Sequence, residues 1–209
     1  MLSPIAAAAP TILVVGDSIS AGYGVAVEDG WVARLRARLA DEGYPHEIVN
    51  ASISGDTTSG GQARLPGLLR KHHPAVVIIE LGGNDGLRGL SLDAMRDNLA
   101  HMIARGRDAG ARILLLGIRL PPNYGSAYID RFTDIYRQLA RSTGVALVPR
   151  ILEGVGERRA LMQDDGIHPN ARGHQRVLDN VWPTLKPMLD EAGQAATHVP
   201  THVPAPAPA

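Results

Sequence analysis

Apolar positions in this chain follow two alternating rhythms. Short segments dense in apolar residues occur at 12–15 (ILVV), 47–53 (EIVNASI), 75–81 (AVVIIEL), 111–118 (ARILLLGI) and 145–149 (VALVP). Between them lie longer segments whose apolar residues recur three or four positions apart. The dense segments read as strands buried on both faces, the spaced ones as amphipathic helices. Over 31–43, Trp31, Val32, Leu35 and Leu39 share one helical stripe, and Gly43 marks a stop. Over 91–110, Leu92, Met95, Leu99, Met102 and Ile103 form an apolar face behind Ser91, an N-cap candidate, with Gly110 at the end. Over 126–144, Phe132, Ile135, Tyr136 and Leu139 face inward. The segment 61–73 is also helix-like, with a delayed start or a kink expected at Pro66, and the closing helix over 170–189 is expected to be interrupted at Pro183 and Pro187.

Strand–helix alternation of this kind predicts an α/β fold: a three-layer α/β/α arrangement around a parallel sheet of five strands. Right-handed crossovers then bring the carboxyl ends of all strands to one edge, where such sheets bind ligands. One domain over 11–190 is expected. A leader or signal remnant precedes it over 1–10, since MLSPIAAAAP lacks the basic start and hydrophobic stretch of a complete signal peptide. A disordered tail rich in Pro and Ala follows over 191–209, where THVP repeats and then Pro and Ala alternate.

Composition removes several classes of function. Hydrophobic residues make up 44% of the 209 positions, which suits a packed core. Lys+Arg and Asp+Glu balance at 21 each, so no net field favours a nucleic acid or an anionic membrane as partner. The absence of cysteine excludes a thiol nucleophile, a disulfide framework and a thiolate metal site. No apolar run approaches the ~20 residues of a membrane span. No phosphate-binding G-x-x-x-x-G-K-[ST], dinucleotide G-x-G-x-x-G or zinc-binding H-E-x-x-H motif occurs, so a nucleotide-binding module and a metallohydrolase are not expected, and no metal is.

Four polar stretches converge on the strand-end edge. Gly16-Asp17-Ser18 follows the first strand, SISGDTTSGG (52–61) the second and LGGNDG (81–86) the third. DDGIHPN (164–170) comes after the fifth. Taken singly, Ser18, Gly55 and Asn84 suit caps and turns, and His168 and Asp165 an ordinary loop. Taken together they supply what acyl transfer from an ester requires. Ser18 offers a hydroxyl nucleophile and His168 a base. Asp165, three residues earlier, offers a carboxylate to orient that base. The N–H groups of Ser18 and Gly55 and the amide of Asn84 offer donors to an oxyanion. Asp17 is expected to brace the nucleophile turn and Asp85 to act as a brace behind the site, while Tyr23, Tyr124 and Tyr128 are expected to pack. The segments 87–90 and 118–125 should wall an acyl groove through Leu87, Leu90, Leu120, Pro121, Pro122 and Tyr124.

These blocks resemble the SGNH (GDSL-type) hydrolases: Gly16-Asp17-Ser18, Gly55, Gly82-Gly83-Asn84-Asp85 and Asp165-Gly166-Ile167-His168 stand in the family's order. Ile19 replaces the Leu of GDSL. NASISGDTTSGG, ELGGNDGLRG, IRLPPNYG and MQDDGIHPN are similar to a bacterial subgroup of acyl-CoA thioesterases, lysophospholipases and arylesterases. The resemblance implies a flavodoxin-like domain without metal or organic cofactor. It implies a triad of Ser18, Asp165 and His168, oxyanion donors at Ser18, Gly55 and Asn84, and a small ester or thioester as substrate. It also implies a periplasmic or secreted location; a monomer is favoured. The G-x-S-x-G elbow of the α/β-hydrolases is absent, because Ser20 stands where its second Gly would be. A carbohydrate O-deacetylase or an acyltransferase would use the same site; the aromatic content of only 4% offers few sugar platforms to the former.

Overall fold

The computed structural model describes residues 9–197, with side chains through Asp190. Five strands form one parallel sheet: β1 (Thr11–Gly16), β2 (Glu47–Asn50), β3 (Val76–Glu80), β4 (Arg112–Leu116) and β5 (Ala146–Val148), in the order β2-β1-β3-β4-β5. Val76–Glu80 is buried throughout, as expected of a central strand covered on both faces. The helices are α1 (Ser18–Ala21), α2 (Trp31–Asp41), α3 (Thr58–His72), α4 (Gly83–Leu87), α5 (Leu92–Asp108), α6 (Ser126–Thr143) and α7 (Ala171–Thr197). On one face α2 packs on α7; on the other α5 packs between α3 and α6. This is the expected three-layer α/β/α fold. The chain runs outward from β1 to β2, then crosses back to β3 on the other side. The winding therefore reverses between β1 and β3, which stay paired to their last residues, Gly16 and Glu80, and the connections leaving those two strands diverge to open a crevice.

Local chemistry explains most boundaries. The Ser91 hydroxyl accepts from the Ala94 N–H and caps α5, a contact worth about 1 kcal/mol. Met95, Leu99, Met102 and Ile103 bury the expected face of α5, and Phe132, Ile135, Tyr136 and Leu139 that of α6. The expectations based on proline need correction. The helix containing Pro66 is not delayed: it starts at Thr58, where the Thr57 hydroxyl accepts from the Gly60 N–H, and continues through Pro66 to His72. Pro183 and Pro187 do not interrupt α7 either. Both are exposed and lie four residues apart on one stripe, while Val181, Trp182, Leu185 and Leu189 are buried. The carbonyls left without donors face water, and packing on the opposite side outweighs the missing bonds.

The α7 backbone continues to Thr197, past the boundary expected after Asp190. The rest of the expected tail, and the expected leader up to residue 8, lie outside the described residues. Among the described residues, no helix is long and apolar enough to cross a membrane.

His174 links the two helices of one face. It is fully buried on α7, and its Nδ1 accepts from the Trp31 N–H of α2 at 3.3 Å. Burial, and then the positive charge of Arg34, push its pKa down to about 4. An unfolded chain takes up this proton below the ordinary value of 6.5, whereas the fold resists it. Stability from a neutral His174 is therefore lost as pH falls from about 6.5 towards 4. In thermal unfolding of wild type and His174→Gln across that range, the wild-type advantage in Tm should narrow steadily with acidification.

Candidate active site

Ser18 is the first residue of α1, directly beyond β1. Its N–H therefore lies outside the helical ladder and is available to a ligand. Gly16 permits the tight exit from the strand: a Cβ there would meet the Ser20 hydroxyl at 2.8 Å and the Glu80 carboxyl at 2.9 Å. Asp17 caps α1, with Oδ1 accepting from the Ile19 N–H at 3.1 Å, as expected of a brace.

His168 arrives from the opposite end of the chain. Its Nε2 stands 2.8 Å from Ser18 Oγ, and its Nδ1 2.6 Å from Asp165 Oδ2. The other Asp165 oxygen accepts the N–H groups of Ile167 at 2.9 Å and His168 at 3.0 Å. Burial works to raise the Asp165 pKa, but the His168 ring and these N–H groups outweigh it and hold the carboxyl down at about 2. An ionised carboxylate only accepts, so His168 Nδ1 carries the proton and Nε2 is left to accept from the Ser18 hydroxyl. Hydroxyl, imidazole and carboxylate thus form one hydrogen-bonded line, with each polarity set by the next group.

Asn84 lies in α4, just beyond β3 and across the crevice from Ser18. One N–H of its amide donates to Asp17 Oδ2 at 3.0 Å. That bond orients the amide and leaves its second N–H free for a ligand. Gly55 holds φ +80°, a backbone geometry that favours glycine, and Arg88 Nη2 donates to its carbonyl at 2.9 Å. Asp85 accepts from the Thr58 N–H at 2.9 Å and the Thr58 hydroxyl at 2.6 Å, tying the third block to the second.

A cavity of about 360 Å³ opens beside Ser18 and is also lined by Asn84 and His168. Leu87, Leu120, Pro121 and Pro122 line it as expected. Leu90 and Tyr124 do not: Leu90 is 44% exposed, and the Tyr124 hydroxyl turns away to donate to the Leu87 carbonyl. The far wall comes from Arg150, Leu152, Glu153, Gly156 and Glu157, a segment after β5 that the sequence pattern did not mark, and from Met162 at the start of the MQDDGIHPN block. Gly55 is not part of the cavity wall, and Asp165 stands behind His168.

The GDSL-like lipase/acylhydrolase family model matches residues 14–176, which include all four blocks. The chain is 58% identical over 183 residues to the esterase TesA of Pseudomonas aeruginosa, covering 88% of this chain and 91% of that one. It is 43% identical over 185 residues to an Escherichia coli enzyme named thioesterase/protease/lysophospholipase, covering 88% of each. The crystal structure of the esterase EstA from Pseudoalteromonas, inhibited by monoethylphosphonate, superposes with a TM-score of 0.82 at 37% identity, over 86% of this chain and 98% of that one.

The chain belongs to the GDSL-like lipase/acylhydrolase family. It is a carboxylic-ester hydrolase.

Several residues that hold this acylhydrolase site together went unremarked in the sequence. Arg64 donates to Asp56 at 2.9 Å, to the Ala51 carbonyl, and to the Gly16 carbonyl at 3.4 Å, so one guanidinium joins the Gly55 loop to the end of β1. The Gln163 amide donates to the Tyr23 carbonyl at 2.7 Å and the Pro169 carbonyl at 2.9 Å, locking the His168 loop to the segment after Ser18. Tyr23 is 53% exposed, and its ring lies 4.7 Å from the His168 ring, so it shields the imidazole rather than filling the core. The quoted block MQDDGIHPN already contained Gln163, but a single glutamine carries no signal of which carbonyls it will reach. Arg64→Gln should loosen the Gly55 loop, speeding amide hydrogen exchange over residues 51–57 by about tenfold while exchange in β3 stays unchanged.

Proposed function

We infer that Ser18 is the nucleophile of a two-step hydrolysis, with His168 as its base and Asp165 as the group that orients and stabilises the imidazolium. The observation that carries this reading is the unbroken line Ser18 Oγ···His168 Nε2 at 2.8 Å and His168 Nδ1···Asp165 Oδ2 at 2.6 Å, at the mouth of a cavity. Ser18 Oγ attacks the acyl carbonyl as His168 Nε2 takes its proton. The carbonyl oxygen becomes an oxyanion held by the N–H groups of Ser18 and Gly55 and the free amide N–H of Asn84. His168 then gives its proton to the departing alkoxide or thiolate, leaving an acyl ester on Ser18. Water, deprotonated by His168, attacks that ester and releases the acid with Ser18 restored.

The proposed substrates are esters and thioesters with an apolar acyl group: alkyl and aryl esters, acyl-CoA and lysophospholipids. The apolar stretch of the wall from Leu87 to Pro122 supports an acyl chain, and the names of the relatives support breadth in the leaving group. The wall carries no Trp, Tyr or Phe, which argues against a carbohydrate O-deacetylase. By family likeness we place the enzyme in the periplasm or outside the cell, which fractionation of the native producer tests.

Ser18→Ala should lower kcat on p-nitrophenyl acetate by about 10⁴-fold or more. It should also abolish the mass increment from a fluorophosphonate, which in wild type maps to the Ser18 peptide; labelling elsewhere would displace Ser18 from its role. Asn84→Ala should cost about 100- to 1000-fold in kcat with little change in KM, since the lost bond forms only as the oxyanion does. Leu120→Trp should shift preference towards shorter chains in a p-nitrophenyl ester series from acetyl to palmitoyl. An unchanged profile there would remove the cavity from the acyl site.

A further inference from the structure

Glu80 ends β3 and sits in register opposite Gly16, directly beneath the Gly-Asp-Ser turn. It is fully buried, the one acid in an otherwise aliphatic strand. Its Oε2 accepts from the Ser20 hydroxyl at 2.7 Å and the Asp17 N–H at 3.3 Å. Ser20 in turn accepts from Trp31 Nε1 at 3.2 Å. No N–H or hydroxyl reaches Oε1, which is buried as well. The remaining polar neighbour is the Asp17 carboxyl, 2% exposed, near enough for the two side chains to share a proton.

Two carboxyl groups bond to each other only with a proton between them. Both Asp17 oxygens already accept, Oδ1 from Ile19 and Oδ2 from Asn84. Donors on both oxygens and the nearby His168 favour the ionised form of Asp17, whereas Glu80 is more deeply buried and its Oε1 receives no donor, so the proton is assigned to Glu80. We propose that Glu80 is a positioning residue of the hydrolytic site, whose buried, protonated carboxyl pins Asp17 so that Asp17 in turn holds the Ser18 turn and the Asn84 amide in register. The proposal rests on the oxyanion role given to Asn84 above.

The surroundings favour this state. Burial, and then the Asp17 charge, push the Glu80 pKa well above its ordinary value of 4.5. Burial raises Asp17 to about 6, restrained by the bonds from Ile19, Glu80 and Asn84 and by the charge of His168. The other groups facing the pair do not neutralise it. From α6, Tyr136 is neutral, its pKa pushed up by burial, and donates to the Leu81 carbonyl at 2.9 Å. From α4, the Asp85 carboxyl is engaged by the Thr58 N–H and hydroxyl. From α3, Arg64 reaches the Gly16 carbonyl at 3.4 Å and not the carboxyls. From α7, the neutral His174 accepts from the Trp31 N–H.

Glu80→Gln keeps the shape and a donor for Asp17 but cannot ionise. Glu80→Ala removes the donor. The proposal expects Glu80→Gln to keep kcat within about threefold of wild type. Glu80→Ala should lose about 10- to 100-fold in kcat, with KM within about twofold, because a misplaced turn impairs the reaction more than acyl binding. In an Asn84→Ala background the part of that loss carried through the Asn84 amide should vanish, leaving the part carried through the Ser18 turn.

A second readout is independent of turnover. A raised pKa in the fold means that the stability from Glu80 is fully present below about 4.5 and is lost as pH rises from there. The Tm of Glu80→Gln relative to wild type should therefore climb as pH increases above about 4.5. A flat difference overturns the proposal, as does a Gln variant as impaired as the Ala variant or an Ala variant with full kcat. Should Glu80→Ala fail to fold, the pH dependence of the Gln variant still decides the matter. Fluorophosphonate labelling of Ser18 in wild type and both Glu80 variants separates the outcomes: its absence from wild type would sink the nucleophile assignment instead.

Discussion

The hydrogen bond between Ser18 and His168 joins residues 150 positions apart, and the rest of the site is arranged around it. Its 2.8 Å length requires β1, which delivers Ser18, and the loop before α7, which delivers His168, to be fixed against each other within a fraction of an ångström. The α2–α7 packing sets the frame, with Trp31 and His174 joined across it. Gln163 then ties the His168 loop to the Tyr23 carbonyl. Without those restraints a serine hydroxyl and a loop imidazole would each be solvated and unreactive.

Two aspartates a few ångströms from this bond show how environment divides labour between like groups. Asp165, held by the His168 ring and two N–H groups, stays ionised down to about pH 2. Asp17, buried under the nucleophile turn beside a second carboxyl, is raised to about 6. The exposed side of the site thus keeps a permanent charge to support an imidazolium, while the buried side keeps a shared proton. The switch in strand order at β1 and β3, which stay parallel, makes this possible. It opens a crevice above, where Ser18 and Asn84 face each other, and leaves Glu80 and Gly16 in register below.

Much of this was legible in the residues. Period and run length marked all five strands and the five long helices, because a strand covered on both faces and a helix covered on one leave different apolar spacings. The polar blocks marked Ser18, Asn84 and His168, which do meet at one cavity, and the three-residue spacing of Asp165 from His168 matched a single turn. Where local rules failed, packing had overruled them. Pro183 and Pro187 lie on the outward stripe of a helix whose inner face is firmly buried. Leu90 and Tyr124 were plausible groove residues by position, yet their direction depends on how α4 and the segment after β4 meet.

The sequence by itself determined the layered α/β architecture and the chemical identity of the groups at the strand ends, because apolar period and residue type are local properties. Tertiary structure decided the rest. It chose which loop walls the cavity, joined the Gly55 loop to β1 through Arg64, and placed a second acid against Asp17. Glu80 was visible as an acid in an apolar run, but its partner is on another strand. Pairings between strands, and the protonation they impose, arise only when distant segments are brought into a common, water-free interior.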